Sequence, residues 1–266
     1  MTTNGTGQRA LHRDASAAHP PPAGPTVEAT RTIPQSSITA GVAILLVAAL
    51  SGLGIFGAVQ RLVTSGDAAS TAASVVESEW LFRLGIASLF AVVALDVVAA
   101  WALYRVFAPV SHHLSMLAGW FRLAYSAVFL VAVSELVGAL RLLTDEGYST
   151  VFSADQVQHQ ALMGIETFRD AWSAGLVLFG IHLLLLGFLA YRSSYVPRIV
   201  GALLAIAGVG YAIDSFVAVL SPGSWPVLGA FTFVGELLLA LWLVVRGRRL
   251  TITGSQLRHE PIAVAR

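Results

Sequence analysis

The sequence contains no cysteine, no lysine and few charged residues of any kind. Without cysteine the chain can form no disulfide, no thiolate metal site and no cysteine nucleophile. Charged residues make up 12% of the chain, whereas an average soluble domain carries about 25%. The phosphate-binding pattern GxxxxGK[ST], the zinc pattern HExxH and the nucleophile pattern GxSxG are also missing. These absences argue against a disulfide-stabilised secreted domain and against several common classes of soluble enzyme.

What the chain does contain is apolar sequence, which makes up 56% of its residues and gives a mean hydropathy of +0.75. The apolar residues form six runs of 19 to 30 residues, close to the ~20 that a helix needs to cross a bilayer. The runs are 38–59, 82–107, 114–143, 172–190, 196–220 and 227–245. The sequence therefore predicts an all-α, polytopic membrane protein built as a six-helix transmembrane bundle.

Two polar tails flank the apolar region. Residues 1–37 include the run HPPPAGP and have no apolar periodicity, so we expect a disordered cytoplasmic tail there. A secretory signal would have its apolar core within the first ~15–30 residues, so the run at 38–59 is better interpreted as an uncleaved first helix. The predicted organisation is a tail at 1–37, a transmembrane domain at 38–247 and a basic cytoplasmic tail at 248–266.

Arginine is unevenly distributed between the two sides of this topology. Eleven arginines lie in the tails and in the second and fourth connections, whereas the opposite side has four arginines together with eight acidic residues. Because cytoplasmic connections are enriched in basic residues, the bias predicts a multi-pass plasma-membrane protein with both termini in the cytoplasm. The net charge of +1 offers no basic surface for nucleic acid, so the expected partner is the lipid bilayer.

The longest connection, residues 144–171, has a helical pattern of its own. Ser153 and Gln156 have the spacing of a helix-capping box. Apolar residues then recur at helical spacing at Val157, Ala161, Ile165 and Phe168. The pattern favours a fourth helix that starts outside the membrane and runs into it; the alternative is a lid that lies on the membrane surface.

Several ionisable residues fall inside the apolar runs, where insertion of Asp or Arg costs about 2.5–3.5 kcal/mol. Asp96 lies 11 residues before Phe107, and Arg122 lies 8 residues after Leu114. Both are therefore roughly 12–17 Å from the same membrane boundary on adjacent antiparallel helices. This matched depth predicts a buried ion pair, which serves either helix packing or a substrate or proton site.

His182 lies midway along the fourth apolar run, and the other six histidines fall outside the runs. A haem or metal site within the membrane usually needs a second histidine there, so we interpret His182 as a hydrogen-bonding side chain. The sequence predicts no metal and no cofactor.

Three carboxylates, Glu135, Asp214 and Glu236, fall in the outer halves of the third, fifth and sixth runs. If they faced one cavity they would repel one another, and at least one would hold a proton near neutral pH. Such a group would form a proton or small-cation site. The alternative is three separate side chains, each protonated or bonded to a neighbour.

Four stretches resemble a bacterial integral membrane family known as domain of unknown function four-three-eight-six. They are LFRLGIASLFAVVALDVVAAWALYRVFAPV at 81–110, LAGWFRLAYSA at 117–127, LFGIHLLLLGFLAYRSSYVPRIVGALLAIAGVGYAIDSF at 178–216 and GELLLALWLVVRG at 235–247. The resemblance covers about residues 38–247 and implies a multi-span membrane protein without implying an activity.

Two classes of function fit these features. The first is a proton- or cation-coupled transporter that uses the intramembrane carboxylates; the second is a structural or regulatory membrane protein whose buried charges serve helix packing. An enzyme is disfavoured, because no nucleophile motif surrounds the serines within the apolar runs, and no catalytic residue is assigned. The sequence carries no signal for an oligomeric state.

The arginine bias predicts which connections are accessible from outside the cell. Single cysteines replacing Ser70 or Ser149 should react with a membrane-impermeant thiol reagent on intact cells, and cysteines replacing Ser111 or Ser255 should react only after lysis. The chain has no native cysteine, so the unsubstituted protein is the blank. Labelling at Ser255→Cys on intact cells would reverse the orientation.

Overall fold

The computed structural model describes residues 27–220 and 233–247, which are helical apart from short turns and contain no β-strand. The first helix, α1, is continued by a π-helical stretch at Gly52–Val59 and then by α2. The α-helices are α1 Val27–Ser51, α2 Gln60–Leu62, α3 Ala68–Glu77, α4 Glu79–Phe107, α5 His112–Thr144, α6 Glu146–Ser149, α7 Ala154–Arg192, α8 Arg198–Leu220 and α9 Val234–Arg246. The all-α prediction is confirmed for these residues.

Five helical spans are long and apolar enough to cross a membrane. They are Pro34–Leu62, Glu79–Phe107, His112–Thr144, Ala154–Arg192 and Arg198–Ala218. These spans indicate a multi-pass membrane protein. The sixth predicted run begins at 227, but residues 221–232 lie outside the described ranges, and the 13 residues of α9 rise only about 20 Å of a hydrocarbon core that is about 30 Å thick. The prediction of six spans therefore stays a prediction.

The N-terminal boundary differs from the one expected. Helix α1 begins at Val27, so residues 27–37, which the sequence assigned to the tail, are helical. Extending an existing helix fixes only one residue for each new hydrogen bond, so polar residues can continue a helix that is already formed, although Pro34 within this stretch donates no backbone hydrogen bond. The rest of the predicted N-terminal tail, residues 1–26, and the tail at 248–266 are not among the described residues.

The helices form a closed ring. Helices α1, α4, α5, α7, α8 and α9 each pack against the next, and α9 returns to α1. The α1–α9 contact is close enough that a side chain added at Gly41 would meet the carbonyl oxygen of Ala240 at 2.6 Å. Because the ring closes, side chains that project inward from non-adjacent helices such as α5 and α9 can meet at its centre.

The extension of the fourth predicted helix is confirmed. Helix α7 runs without a break for 39 residues, or about 58 Å, and starts with the predicted capping box of Ser153 and Gln156. The four apolar residues that suggested the extension, Val157, Ala161, Ile165 and Phe168, are all buried. This part of the chain belongs to α7, and a separate surface lid is not formed.

Glycines bring α7 and α8 into backbone contact. A side-chain carbon added at Gly180 would lie 2.6 Å from the carbonyl oxygen of Gly208, and one added at Gly201 would lie 2.6 Å from the amide nitrogen of Tyr191. In lipid, small residues of this kind permit close helix packing, which dispersion forces then stabilise. The α7–α8 hairpin is therefore among the tightest contacts of the bundle.

The sequence also contains a glycine pattern that in other proteins binds dinucleotides, and the fold gives it a different role here. The string GLGIFG at residues 52–57 has the GxGxxG spacing of dinucleotide-binding loops. That function requires a strand, a loop and a helix in succession, but here the string lies within the π-helical stretch that continues α1. In this position Gly54 packs against Ser88 and Leu89 of α4, so the pattern serves helix packing.

The close contact predicts opposite effects for two Gly→Ala changes. Gly201→Ala should destabilise the folded protein by about 1–3 kcal/mol, because the new methyl group meets backbone atoms that cannot move aside. Gly138→Ala is the matched control on α5, since a methyl group there meets nothing within 4 Å, and it should be neutral or stabilise by up to about 1 kcal/mol. Thermal unfolding in detergent measures both, and equal effects would contradict the packing of the hairpin.

Candidate functional site

Arg122 of α5 is fully buried at the centre of the bundle and binds two carboxylates. Its Nε and Nη2 atoms donate to Oδ1 of Asp96 on α4 at 2.9 and 2.5 Å. Its Nη1 donates to Oε1 of Glu236 on α9 at 2.8 Å. The ion pair predicted between Asp96 and Arg122 is present, and Glu236 joins it as a third charged group.

His182 of α7 completes the cluster as a neutral side chain. Its Nδ1 lies 2.8 Å from the carbonyl oxygen of Ala118, and its Nε2 lies 3.3 Å from Nη1 of Arg122. A carbonyl can only accept and a guanidinium can only donate, so Nδ1 carries the proton and Nε2 accepts. The interpretation of His182 as a hydrogen-bonding residue is confirmed, and its free lone pair is directed to Arg122.

The surroundings of Arg122 satisfy nearly all of its hydrogen-bonding capacity. A guanidinium has five N–H groups, and four of them point to Asp96, Glu236 and His182. The guanidinium carbon also lies 5.3 Å from the centre of the Phe179 ring, in a cation–π contact. Because a buried charge is tolerated only when it is paired and hydrogen-bonded, these contacts account for a fully buried arginine.

The charges of the cluster do not balance. Asp96 and Glu236 carry two negative charges when ionised, Arg122 carries one positive charge, and His182 is neutral by its hydrogen bonds, so the formal sum is −1. One proton or one monovalent cation would make the cluster neutral. Of the two acids, Glu236 is the accessible one, since its side chain is 14% exposed and that of Asp96 is 2% exposed.

The three outer carboxylates do not form one site. Glu135 follows Arg122 by 13 residues, about 20 Å along α5, and the Arg122 side chain leans away from it, toward the N-terminus of its helix. Because Glu236 binds Arg122, it does not share a cavity with Glu135, and of the two alternatives the one with separate side chains fits the structure. Asp214 is buried on α8, beside Ser215, whose hydroxyl donates to the carbonyl oxygen of Ser173.

The depth of Glu236 explains why it joins Arg122. Glu236 is the midpoint of its apolar run at 227–245, so the run alone does not assign it to the outer half of the helix. Glu236 lies ten residues before Arg246, the last residue of α9, and Asp96 lies eleven before Phe107, the last residue of α4. Both are therefore roughly 15–17 Å from the arginine-rich end, which brings Glu236 level with the cluster.

A second polar contact, which sequence reasoning did not identify, fixes the turn between α7 and α8. The hydroxyl of Tyr195 donates to the carbonyl oxygen of Val106 in the last turn of α4 at 2.6 Å, and its ring stacks on Phe107. Burial raises the pKa of Tyr195 above its ordinary value, which keeps the phenol protonated as a donor. The contact thus satisfies one of the unpaired carbonyls at the end of α4.

The described residues do not meet the requirements of a metal site. Among residues 27–220 and 233–247, no three histidine, aspartate or glutamate side chains are arranged to hold a metal ion. Phe179 and the carbonyl of Ala118, which complete the surroundings of Arg122 and His182, carry no sequence signal that distinguishes them from ordinary helix residues.

Loss of Arg122 should cost far more than loss of an exposed arginine. Arg122→Ala strands buried carboxylates and should destabilise the protein by about 3–5 kcal/mol. The control is Arg83→Ala, which removes a half-exposed pair with Glu79 on α4 and should cost only about 0.3–0.5 kcal/mol. Unfolding in detergent measures the difference. Asp96→Ala combined with Arg122→Ala should recover part of the loss caused by Arg122→Ala, and a double variant whose loss equals the sum of the two single losses would contradict direct coupling.

Comparisons with known proteins find a family model and a relative, both of unknown function. The family model described as "Domain of unknown function (DUF4386)" matches residues 39–247. An uncharacterized protein of Archaeoglobus fulgidus is 37% identical over 166 residues, which cover 62% of this chain and 85% of that protein. No solved structure matches the chain.

Proposed function

We propose that this chain, which belongs to the family described as Domain of unknown function (DUF4386), is a proton- or small-cation-coupled transporter that uses the carboxylate of Glu236. The observation that carries the proposal is the charge imbalance of the buried cluster, in which two acids face one arginine and a neutral histidine. A site with one negative charge in excess, in surroundings of low dielectric, binds one proton or cation favourably.

Glu236 is the residue at which that charge enters. Asp96 accepts two hydrogen bonds from Arg122 and is almost completely buried, whereas Glu236 accepts one and is partly exposed. A proton that binds Glu236 turns a charge-assisted hydrogen bond to Arg122 into a weaker neutral one. The Asp96–Arg122 pair remains behind as a neutral unit.

The structural counterpart of proton binding is movement of α9. This helix is held to the bundle by the Glu236–Arg122 ion pair and by backbone contacts, of Gly41 on α1 with Ala240 and of Gly235 with Leu203 on α8. The ion pair is the part that depends on charge. Weakening it lowers the free energy needed to shift α9 relative to α5, which is the kind of coupling between charge and conformation that transport requires.

The competing function is structural, and one observation favours it. Arg122 is completely buried, and four of its five N–H groups are bonded, as expected for a cluster that only fixes helix packing. In that case the protonation of Glu236 has no transport consequence. Buried ion groups of this kind can specify how helices associate even where they add little stability.

The proposal includes a location. We infer a plasma-membrane protein with both termini in the cytoplasm, supported by the arginine bias of the sequence. Exposed arginines at the shared end of α7, α8 and α9, namely Arg192, Arg198 and Arg246, are the groups that this orientation assigns to the cytoplasmic surface.

Reconstituted liposomes test the function. If the coupling ion is H⁺, liposomes that contain the wild-type protein should dissipate an imposed pH gradient. If it is Na⁺, they should take up more Na⁺ than K⁺ when the two ions are supplied at equal concentration. The assay that gives a flux identifies the coupling ion. Glu236→Gln should abolish the flux, because the amide cannot exchange a proton. Glu135→Gln is the matched control, about 20 Å from Arg122 along α5, and should retain the flux. Wild-type flux equal to that of empty liposomes would support the structural alternative.

A further inference from the structure

A groove on the outside of the bundle lies between α8 and α9, near the start of α8 and the end of α9. It is shallow and open on one side, with a volume of about 400 Å³. Ile199 and Val200 line it from α8, and Leu238, Leu241 and Val245 line it from α9. The groove is therefore an apolar slot between α8, which is long and apolar enough to cross a membrane, and α9, and it is separate from the buried cluster.

One end of this slot is charged. Arg246, the last residue of α9, also lines the groove, and among the described lining residues it is the one charged group. Leu238 precedes Arg246 by eight residues, so the apolar part extends about 12 Å along α9 before it reaches the guanidinium.

The shape and the charge fit a particular occupant. An apolar slot open to the membrane accepts a hydrocarbon chain, and a guanidinium at its end matches a phosphate, to which arginine can donate two parallel hydrogen bonds. Basic pockets between membrane helices bind anionic lipid head groups for the same reason. A zwitterionic lipid would fill the slot equally well but would gain less from Arg246, because its head group carries a compensating positive charge.

We propose that this groove binds an anionic phospholipid, with an acyl chain between α8 and α9 and the phosphate on Arg246. The occupant is a lipid held at one position, distinct from the lipid that surrounds the whole bundle. The site goes beyond the proposed transport function, since it uses none of the residues of the cluster and has its own readout.

The test compares two lipids that differ only in the head group. Delipidated protein in detergent receives phosphatidylglycerol or phosphatidylcholine with identical acyl chains, and native mass spectrometry counts the lipid retained. We expect wild type to prefer phosphatidylglycerol by roughly fivefold, the preference that one arginine near a phosphate supplies. Inorganic phosphate alone should not compete, because it lacks the chain that fills the groove.

Four variants separate the parts of the site. Arg246→Gln should remove the head-group preference, and Arg246→Lys should keep part of it. Val245→Trp should fill the slot and lower retention of both lipids. The matched control is Arg192→Gln, an exposed arginine at the same end that stacks on Phe188 and is not among the groove-lining residues; it should behave as wild type.

The outcomes decide the proposal. A preference that Arg246→Gln abolishes and Arg192→Gln preserves supports it, and the stability of each variant is checked by its unfolding temperature in detergent without added lipid. Equal retention of the two lipids by wild type, or a preference that survives Arg246→Gln, overturns it. A preference lost equally in both arginine variants also overturns it, since that result indicates general attraction to a basic surface.

Discussion

The guanidinium of Arg122 is the group on which the rest of the structure depends. A permanent positive charge in an apolar interior is tolerated only if neighbouring helices supply matching groups, and here they do so from three directions: Asp96 from α4, Glu236 from α9 and His182 from α7. Each contact restricts the rotation and depth of the helix that provides it. The requirements of one side chain thereby define how four helices of the bundle are arranged.

Backbone packing makes that arrangement possible. An arginine can reach acceptors on three helices only when the helices are close together, and Gly119, which faces Ala100 of α4, and Gly175 of α7, which faces Val128 of α5, lie at two of these contacts. In a membrane, where exposing apolar surface to lipid costs little, close packing and hydrogen bonding replace the hydrophobic effect as the source of specificity. The polar cluster and the glycine contacts therefore act together: close packing brings the helices near one another, and the hydrogen bonds of Arg122 hold them in one arrangement.

The sequence predicts most of the helices and part of the buried cluster, and the parts that it does not predict have a physical reason. Depth along a helix follows from counting residues, so the Asp96–Arg122 pair and the bonding role of His182 were accessible. Counting is ambiguous for Glu236, which is the midpoint of its apolar run, so the sequence groups it with Glu135, whereas α9 ends at Arg246 and brings Glu236 level with Arg122. The start of α1 at Val27 was missed because polar residues can extend a helix without showing apolar periodicity.

The order of the charged residues along the chain also bears on how the protein enters the membrane. Asp96 and Arg122 lie on consecutive helices joined by a short turn, so this hairpin can insert as an electrically neutral pair, without the full cost of two separate charges. Glu236 is synthesised more than a hundred residues later and finds its cationic partner already engaged. The third charged group of the cluster therefore joins an ion pair that the two earlier helices have already formed.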